Sequence, residues 1–555
     1  MRALALLLAL GAAAGVTAAG GDAPDEAAGP LLETQPAADS VQLPANPVDV
    51  AAGDVDGDGT AEIVLLLLYP AWGSAAEVRD TKEGQEVDVV AALQDRRELR
   101  AYEVEDGTRL RLAAAPLPLD GSVYALDALP RGGPVVAMTA AGPARVVVRA
   151  GDAVAAGGGG VSGGGGASQL ALVPVADQRP VFAGVERFFS FAPLVADLDG
   201  DGQPESLVPT DRGLVAVRVA DGTRSDLGAP LAEYQSGTQG RMRVTLPRAL
   251  DVDRDGTADL LDVDDATERV ALRRGLGGGR FAGAASWDLG GLLADRPQES
   301  GTMRSPWLLD VLDVDADGTL EAAIAVREGA GDDDPSLRTL KGGPHAVAFH
   351  ALLPGQPAAR QPESILRASF TAPLPLPRDD SFSPFIDVDG DGDKELLAFD
   401  LSLGYFGIAK ALATGSARVG VAPRGFRYAA SGWTEIRDLA PAFDVRLNLR
   451  QGELRGFALL PGDVTGDRLD DMVVLDGDEV QVHAGRAGGT IEPRPRTRAR
   501  LPRAQSGSSF LPLFVDLDGD AVLEMVAVEQ LEEREGEPAR PVQLSLHRFA
   551  GAGTR

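Results

Sequence analysis

Seven short acidic loops of one pattern recur along the chain, and they limit its possible folds more than any other feature. The first is Asp54-Val55-Asp56-Gly57-Asp58-Gly59-Thr60-Ala61-Glu62, with acids at positions 1, 3, 5 and 9 and glycine at position 6. The pattern returns at Asp197, Asp199, Asp201 and Glu205, then at Asp251, Asp253, Asp255 and Asp259. It comes again at Asp313, Asp315, Asp317 and Glu321, and at Asp387, Asp389, Asp391 and Glu395. A looser copy holds Asp463, Thr465, Asp467 and Asp471, and the last holds Asp516, Asp518, Asp520 and Glu524. An internal repeat of this regularity means that one small structural unit is stacked many times.

The spacing carries chemistry. Oxygen ligands at positions 1, 3 and 5 of a tight loop converge on one point, and glycine at position 6 permits the sharp turn. A carboxylate at position 9 closes the shell. All-oxygen ligation with several carboxylates suits calcium, so these residues predict about seven bound calcium ions. An EF-hand would close with a carboxylate at position 12 on a following helix. Here position 12 is Leu65, Val208, Asp262, Ile324, Ala398, Val474 and Ala527, apolar in all but one loop. Clustered carboxylates repel one another without a metal, which predicts a structural role for calcium.

The flanks predict strands. Position 2 is always Val or Leu, and strand-length apolar runs such as Ile63–Leu68 and Met525–Val528 follow position 9. Each loop therefore joins two strands, with position 2 directed into a core. The step from Asp54 to Asp197 is about twice the others, so a unit near 122–177 lacks the motif. In that unit Asp127 and Gly132 stand at positions 1 and 6, and Arg131 at position 5. Its hairpin is either plain and empty or holds the Arg131 guanidinium where a cation would sit. Eight four-stranded antiparallel blades closed into a β-propeller fit the length, or seven if 122–177 is not a blade. The last unit is one strand short after Phe510, and the segment near Ser40–Pro44 is expected to supply it. The expected fold class is all-β, with the propeller over residues 41–555.

Met1 and Arg2 lead into an apolar run, Ala3–Val16, and then small residues, the layout of a secretory signal over residues 1–19. Residues 20–40 read as a flexible linker. The expected location is outside the cytoplasm: periplasmic, extracellular or on the cell surface. The 555 residues carry 83 Asp and Glu against 52 Lys and Arg, a net charge of −31. That field repels phosphate backbones and predicts neither nucleic acid nor membrane insertion after signal removal. With no cysteine and four histidines, thiolate metal sites and cysteine nucleophiles are excluded.

The Asp-x-Asp-x-Asp-Gly-x-x-Glu/Asp loops between strands resemble the FG-GAP/VCBS repeats of the integrin-α-like β-propeller superfamily. The likeness lies in the loops; the Phe-Gly and Gly-Ala-Pro signatures survive only as traces at Phe406-Gly407 and Gly228-Ala229-Pro230. The resemblance implies calcium-stabilised blades and a role in adhesion or ligand binding. It also implies an alternative, since some related eight-bladed proteins are polysaccharide lyases.

Outside the loops, no catalytic group is assigned. His350, His483 and His547 each end an alternating strand and look repeat-equivalent, with Tyr102 in the matching place. Arg494, Arg496, Arg498 and Arg500 alternate on one strand face, as a polyanion site or as a charged edge that resists aggregation. Tyr405, Phe426, Tyr428 and Trp433 in the long stretch 404–433 are the candidate ligand-binding residues, because aromatic rings stack on sugars and peptides. The expected function is an exported interaction or adhesion module whose partner is an extracellular protein or polysaccharide. The alternative is a carbohydrate-active enzyme of the lyase kind.

Overall fold

The computed structural model describes residues 37–549 with internal breaks, the longer of them at 70–76, 89–95, 152–165, 181–193, 294–306, 328–342, 403–415, 501–511 and 531–541. The segment read as a signal peptide lies outside the described residues, as do Tyr405, Asp199, Asp389 and Asp391.

The chain is all-β and forms an eight-bladed propeller of antiparallel sheets in a ring. Blade 1 runs through Asn46–Gly53, Glu62–Tyr69, Arg96–Glu105 and Arg109–Leu112. Its second strand, Glu-Ile-Val-Leu-Leu-Leu-Leu-Tyr, is apolar on both sides because both faces pack. Even residues Val64 and Leu66 join a core shared with blade 2; odd residues Ile63, Leu65 and Leu67 join one shared with blade 8. The core is thus a series of seams between blades.

Blade 2 is present, from Val123–Asp127 to Gly166–Pro174, so the motif-free unit is a true blade. The Asp127 carboxylate accepts the amides of Leu194 and Val195 in blade 3, at 2.5 and 2.8 Å. It serves as a clamp between blades; Arg131 and Gly132 lie outside the described residues. Asp49 makes the same kind of clamp, taking the Leu126 amide of blade 2 at 2.7 Å.

Blades 3 to 7 follow in order, starting at Val195, Arg248, Trp307, Phe385 and Phe457. Blade 6 is enlarged by the long strand Ser416–Ala429, which pairs with both Gly432–Ile436 and Phe443–Asn448. Blade 8 holds Leu513–Val515, Glu524–Gln530 and Val542–Arg548. Its fourth strand is Ala37–Leu43, paired antiparallel along its whole length with the C-terminal strand. The N-terminal segment therefore closes the ring, beginning a few residues inside the stretch read as linker. Among the described residues no helix is long and apolar enough to cross a membrane.

Candidate metal loops

Each acidic loop connects the first two strands of its blade, so all seven lie at the same point of the repeat. Side chains of the loop hold its own backbone. The position-1 carboxylate accepts the amide of position 6 in all six loops described there: Gly59, Gly202, Gly256, Gly318, Arg468 and Ala521 donate at 2.6–3.1 Å. Those six residues all have positive φ, from 67° to 90°. Glycine adopts this left-handed form freely, whereas Arg468 and Ala521 hold it against a steric cost. The position-5 carboxylate accepts the amide of position 7 in the same six loops, from Thr60, Gln203, Thr257, Thr319, Leu469 and Val522.

Position 9 is the anchor. Glu62, Glu205, Asp259, Glu321, Glu395, Asp471 and Glu524 are at most 2% exposed, and acids so deeply buried need partners for their charge. In all seven loops one carboxylate oxygen accepts the amide of position 2, at 2.8–3.3 Å. The loop is thereby cinched onto the sheet, and position 2 turns into the core: Val55, Leu198, Val252, Val314, Val464 and Leu517 are all buried. Burial, with the neighbouring aspartates, pushes the Glu62 carboxyl up to about 7 and Glu321 up to about 8. Desolvation pushes Asp471 up to about 6.

Neighbouring loops also touch. Ala61 donates its amide to Leu517 at 3.2 Å, Lys394 to Val314 at 3.2 Å, and Leu523 to Asp463 at 2.9 Å. Each bond runs from position 8 of one loop to position 1 or 2 of the loop before it.

The donor set fits a hard divalent cation. Carboxylate oxygens converge within 4.8 Å in four groups: Asp54, Asp56 and Asp58; Asp251, Asp253 and Asp255; Asp313, Asp315 and Glu321; and Asp516, Asp518 and Glu524. Buried oxygens without a hydrogen-bond partner stand in several loops, on Asp197, Asp315, Glu321, Thr465 and Glu524. A buried oxygen left unsatisfied costs on the order of 1–3 kcal/mol, and a bound cation would recover that cost.

A feature that sequence reasoning missed lies across the hairpin from position 9. Arg218 reaches Glu205 at 3.2 Å and Asp201 at 3.5 Å. Arg274 reaches Asp259 at 2.7 Å and Asp253 at 3.3 Å, and Arg427 reaches Glu395 at 2.7 Å. Arg548 engages Asp518 at 2.5 Å, Glu524 at 3.4 Å, and Asp520 as well. Arg496 comes from a different strand and meets Asp467 at 2.9 Å. The signal was available in the sequence as an arginine at the end of the third strand of four units.

The other candidates are placed as follows. Phe426 is 2% exposed in the core between blades 5 and 6. Tyr428 and Trp433 are half-buried against the same core, with Trp433 stacked on Phe349 at 5.2 Å between ring centroids. The structure thus joins three of the four aromatic residues, but around Phe349 as packing. His350, His483 and His547 stand opposite Ala322, Met472 and Met525, each the residue after position 9, so they are repeat-equivalent and on separate blades. Burial pushes His547 down to about 4. Arg496 and Arg498 pair with Glu492 and Glu479, consistent with a charged edge.

No family model matches the chain, and no curated protein sequence matches it. Solved structures are similar to it. A lectin of Agrocybe aegerita that recognises non-reducing terminal N-acetylglucosamine is similar over 79% of this chain and 94% of its own, with 15% identity and a TM-score of 0.35. The rhamnogalacturonan lyase of Bacillus licheniformis is similar over 92% of this chain and 90% of its own, with 14% identity and a TM-score of 0.26. The polysaccharide lyase Uly1 is similar over 80% and 94%, with 11% identity and a TM-score of 0.29. At these identities and scores the likenesses assign no site, ligand or activity.

Proposed function

We propose that this chain is an exported β-propeller whose acidic loops bind calcium as structural ions, as in the FG-GAP/VCBS repeats they resemble, and which acts as a non-catalytic interaction module. The observation that carries the structural role is the buried position-9 carboxylate bonded to the amide of position 2 in all seven loops. A cation held by positions 1, 3, 5 and 9 would tie the loop to the second strand of its blade and relieve the repulsion among the acids. Since each loop touches the next where the bonds from Ala61, Lys394 and Leu523 run, ions bound there would also stiffen the contacts between blades. A propeller held this way presents its connecting segments on a rigid ring, which suits recognition of an extracellular polysaccharide or protein.

The test is size exclusion of the calcium-loaded protein mixed with acidic and neutral polysaccharides. Polymer co-eluting intact with the protein supports the binding role. Conversion of polymer to small fragments would overturn it in favour of a lyase.

A further inference from the structure

The six loops whose backbone is described share its hydrogen bonds but not an electrostatic environment. Blade 5 and blade 8 differ in what stands across from the position-9 acid. In blade 5 the residue facing Glu321 across the hairpin is Ala351. Glu321 is fully buried and its Oε1 has no hydrogen-bond partner, nor has Asp315 Oδ1 beside it. These two residues and Asp313 bring their oxygens within 4.8 Å of one another. The loop is a preformed shell of like charges with buried oxygens left over.

In blade 8 the corresponding shell already contains a cation. Arg548 contacts three of the four loop acids, hydrogen-bonding Asp518 and Asp520 and ion-pairing at 3.4 Å with Glu524 Oε1. That oxygen has no hydrogen bond of its own but, unlike that of Glu321, has a cation beside it. Arg548 is itself only 19% exposed and ends the C-terminal strand, where its backbone lies opposite Ala37 of the closing N-terminal strand. A second cation entering beside a guanidinium would be repelled at short range in a partly desolvated site.

We propose that the loop of blade 5 takes the first and tightest divalent cation, and that the loop of blade 8 takes none because Arg548 is its built-in counter-ion. Blades 3, 4 and 6 fall between, since Arg218, Arg274 and Arg427 hold one or two acids each. The consequence is mechanical. The seam where the two ends of the chain meet stays neutralised when calcium is scarce, while the loop of blade 5, elsewhere in the ring, responds to it. This inference rests on the reading of the loops as calcium sites.

The experiment is calorimetric titration of calcium into the metal-stripped full chain and three variants, with the melting temperature of each read with and without calcium. Ala351→Arg places a guanidinium opposite Glu321; the tightest phase should weaken at least about tenfold. Glu321→Gln should do the same, and it covers the case in which the larger substitution fails to fold. Arg548→Gln should add one equivalent to the total bound. An unchanged tight phase in both blade 5 variants, or an unchanged total in Arg548→Gln, overturns the proposal. If no protein binds calcium and no melting temperature moves, the calcium reading beneath it falls as well.

Discussion

The amide of Ala61 donates to the carbonyl of Leu517 at 3.2 Å, joining the first acidic loop of the chain to the last. The two residues belong to blades at opposite ends of the sequence that are neighbours in the ring. The same seam is closed by the strand Ala37–Leu43, whose partner is Val542–Arg548. Loop contact and strand exchange thus fasten one joint, and the core beneath it mixes Leu43 with Leu65, Leu67, Leu544 and Leu546.

Leu43 is 6% exposed in that core. Leu43→Ala is expected to destabilise the protein by about 2–4 kcal/mol, through lost burial and the cavity left behind. Urea denaturation checks this; a loss under about 0.5 kcal/mol would mean that the N-terminal strand does not hold the ring.

Ala521 sits at position 6 with φ of 67°, where five of the seven loops carry glycine. An L-residue pays roughly 1–2 kcal/mol for the left-handed form, part of which glycine returns as unfolded-chain entropy. Ala521→Gly should therefore stabilise the chain by about 0.5–1 kcal/mol, seen as a higher urea midpoint. A lower midpoint would show that the Ala521 methyl makes a contact worth more than the strain.

Much of this architecture is legible in the sequence because the loop grammar fixes strand ends. Position 2 must be apolar to enter the core, and position 9 must be acidic to catch the amide of position 2, so blade starts can be counted. The missing motif of blade 2 is legible only as spacing, and the role of Asp127 is not, because its partners, Leu194 and Val195, belong to the next blade. Phe426 and Trp433 are ambiguous for another reason. Aromatic residues in an insertion look alike whether they await a ligand or pack on Phe349, and only the fold brings Phe349 to them. The arginines opposite position 9 are visible but uninterpretable until strand register shows that Arg218 faces Glu205.

Asp49 is buried, and desolvation pushes its carboxyl from 3.8 up to about 7 despite the amides of Leu126 and Val50. A carboxyl raised in the native state binds its proton more tightly there than in the unfolded chain. Its contribution is complete below pH 3.8 and is lost as pH rises through about 7. In saturating calcium, stability should fall between pH 5 and pH 7 with a slope of up to about 1 kcal/mol per pH unit from this group. Asp49→Asn should flatten that slope, measured by urea denaturation across the range. An equal slope in both proteins would show that Asp49 does not titrate there.

The central claim is that cations in the acidic loops hold the propeller together. With a dissociation constant near 0.1 mM, each site would add about 1.4 kcal/mol at millimolar calcium, so a few sites together rival the stability of a domain. The most direct measurement is the melting temperature of the full chain in millimolar calcium and in excess chelator at the same ionic strength. The account predicts a rise of several degrees or more with calcium and little with added sodium. Identical melting curves in calcium and in chelator would contradict it.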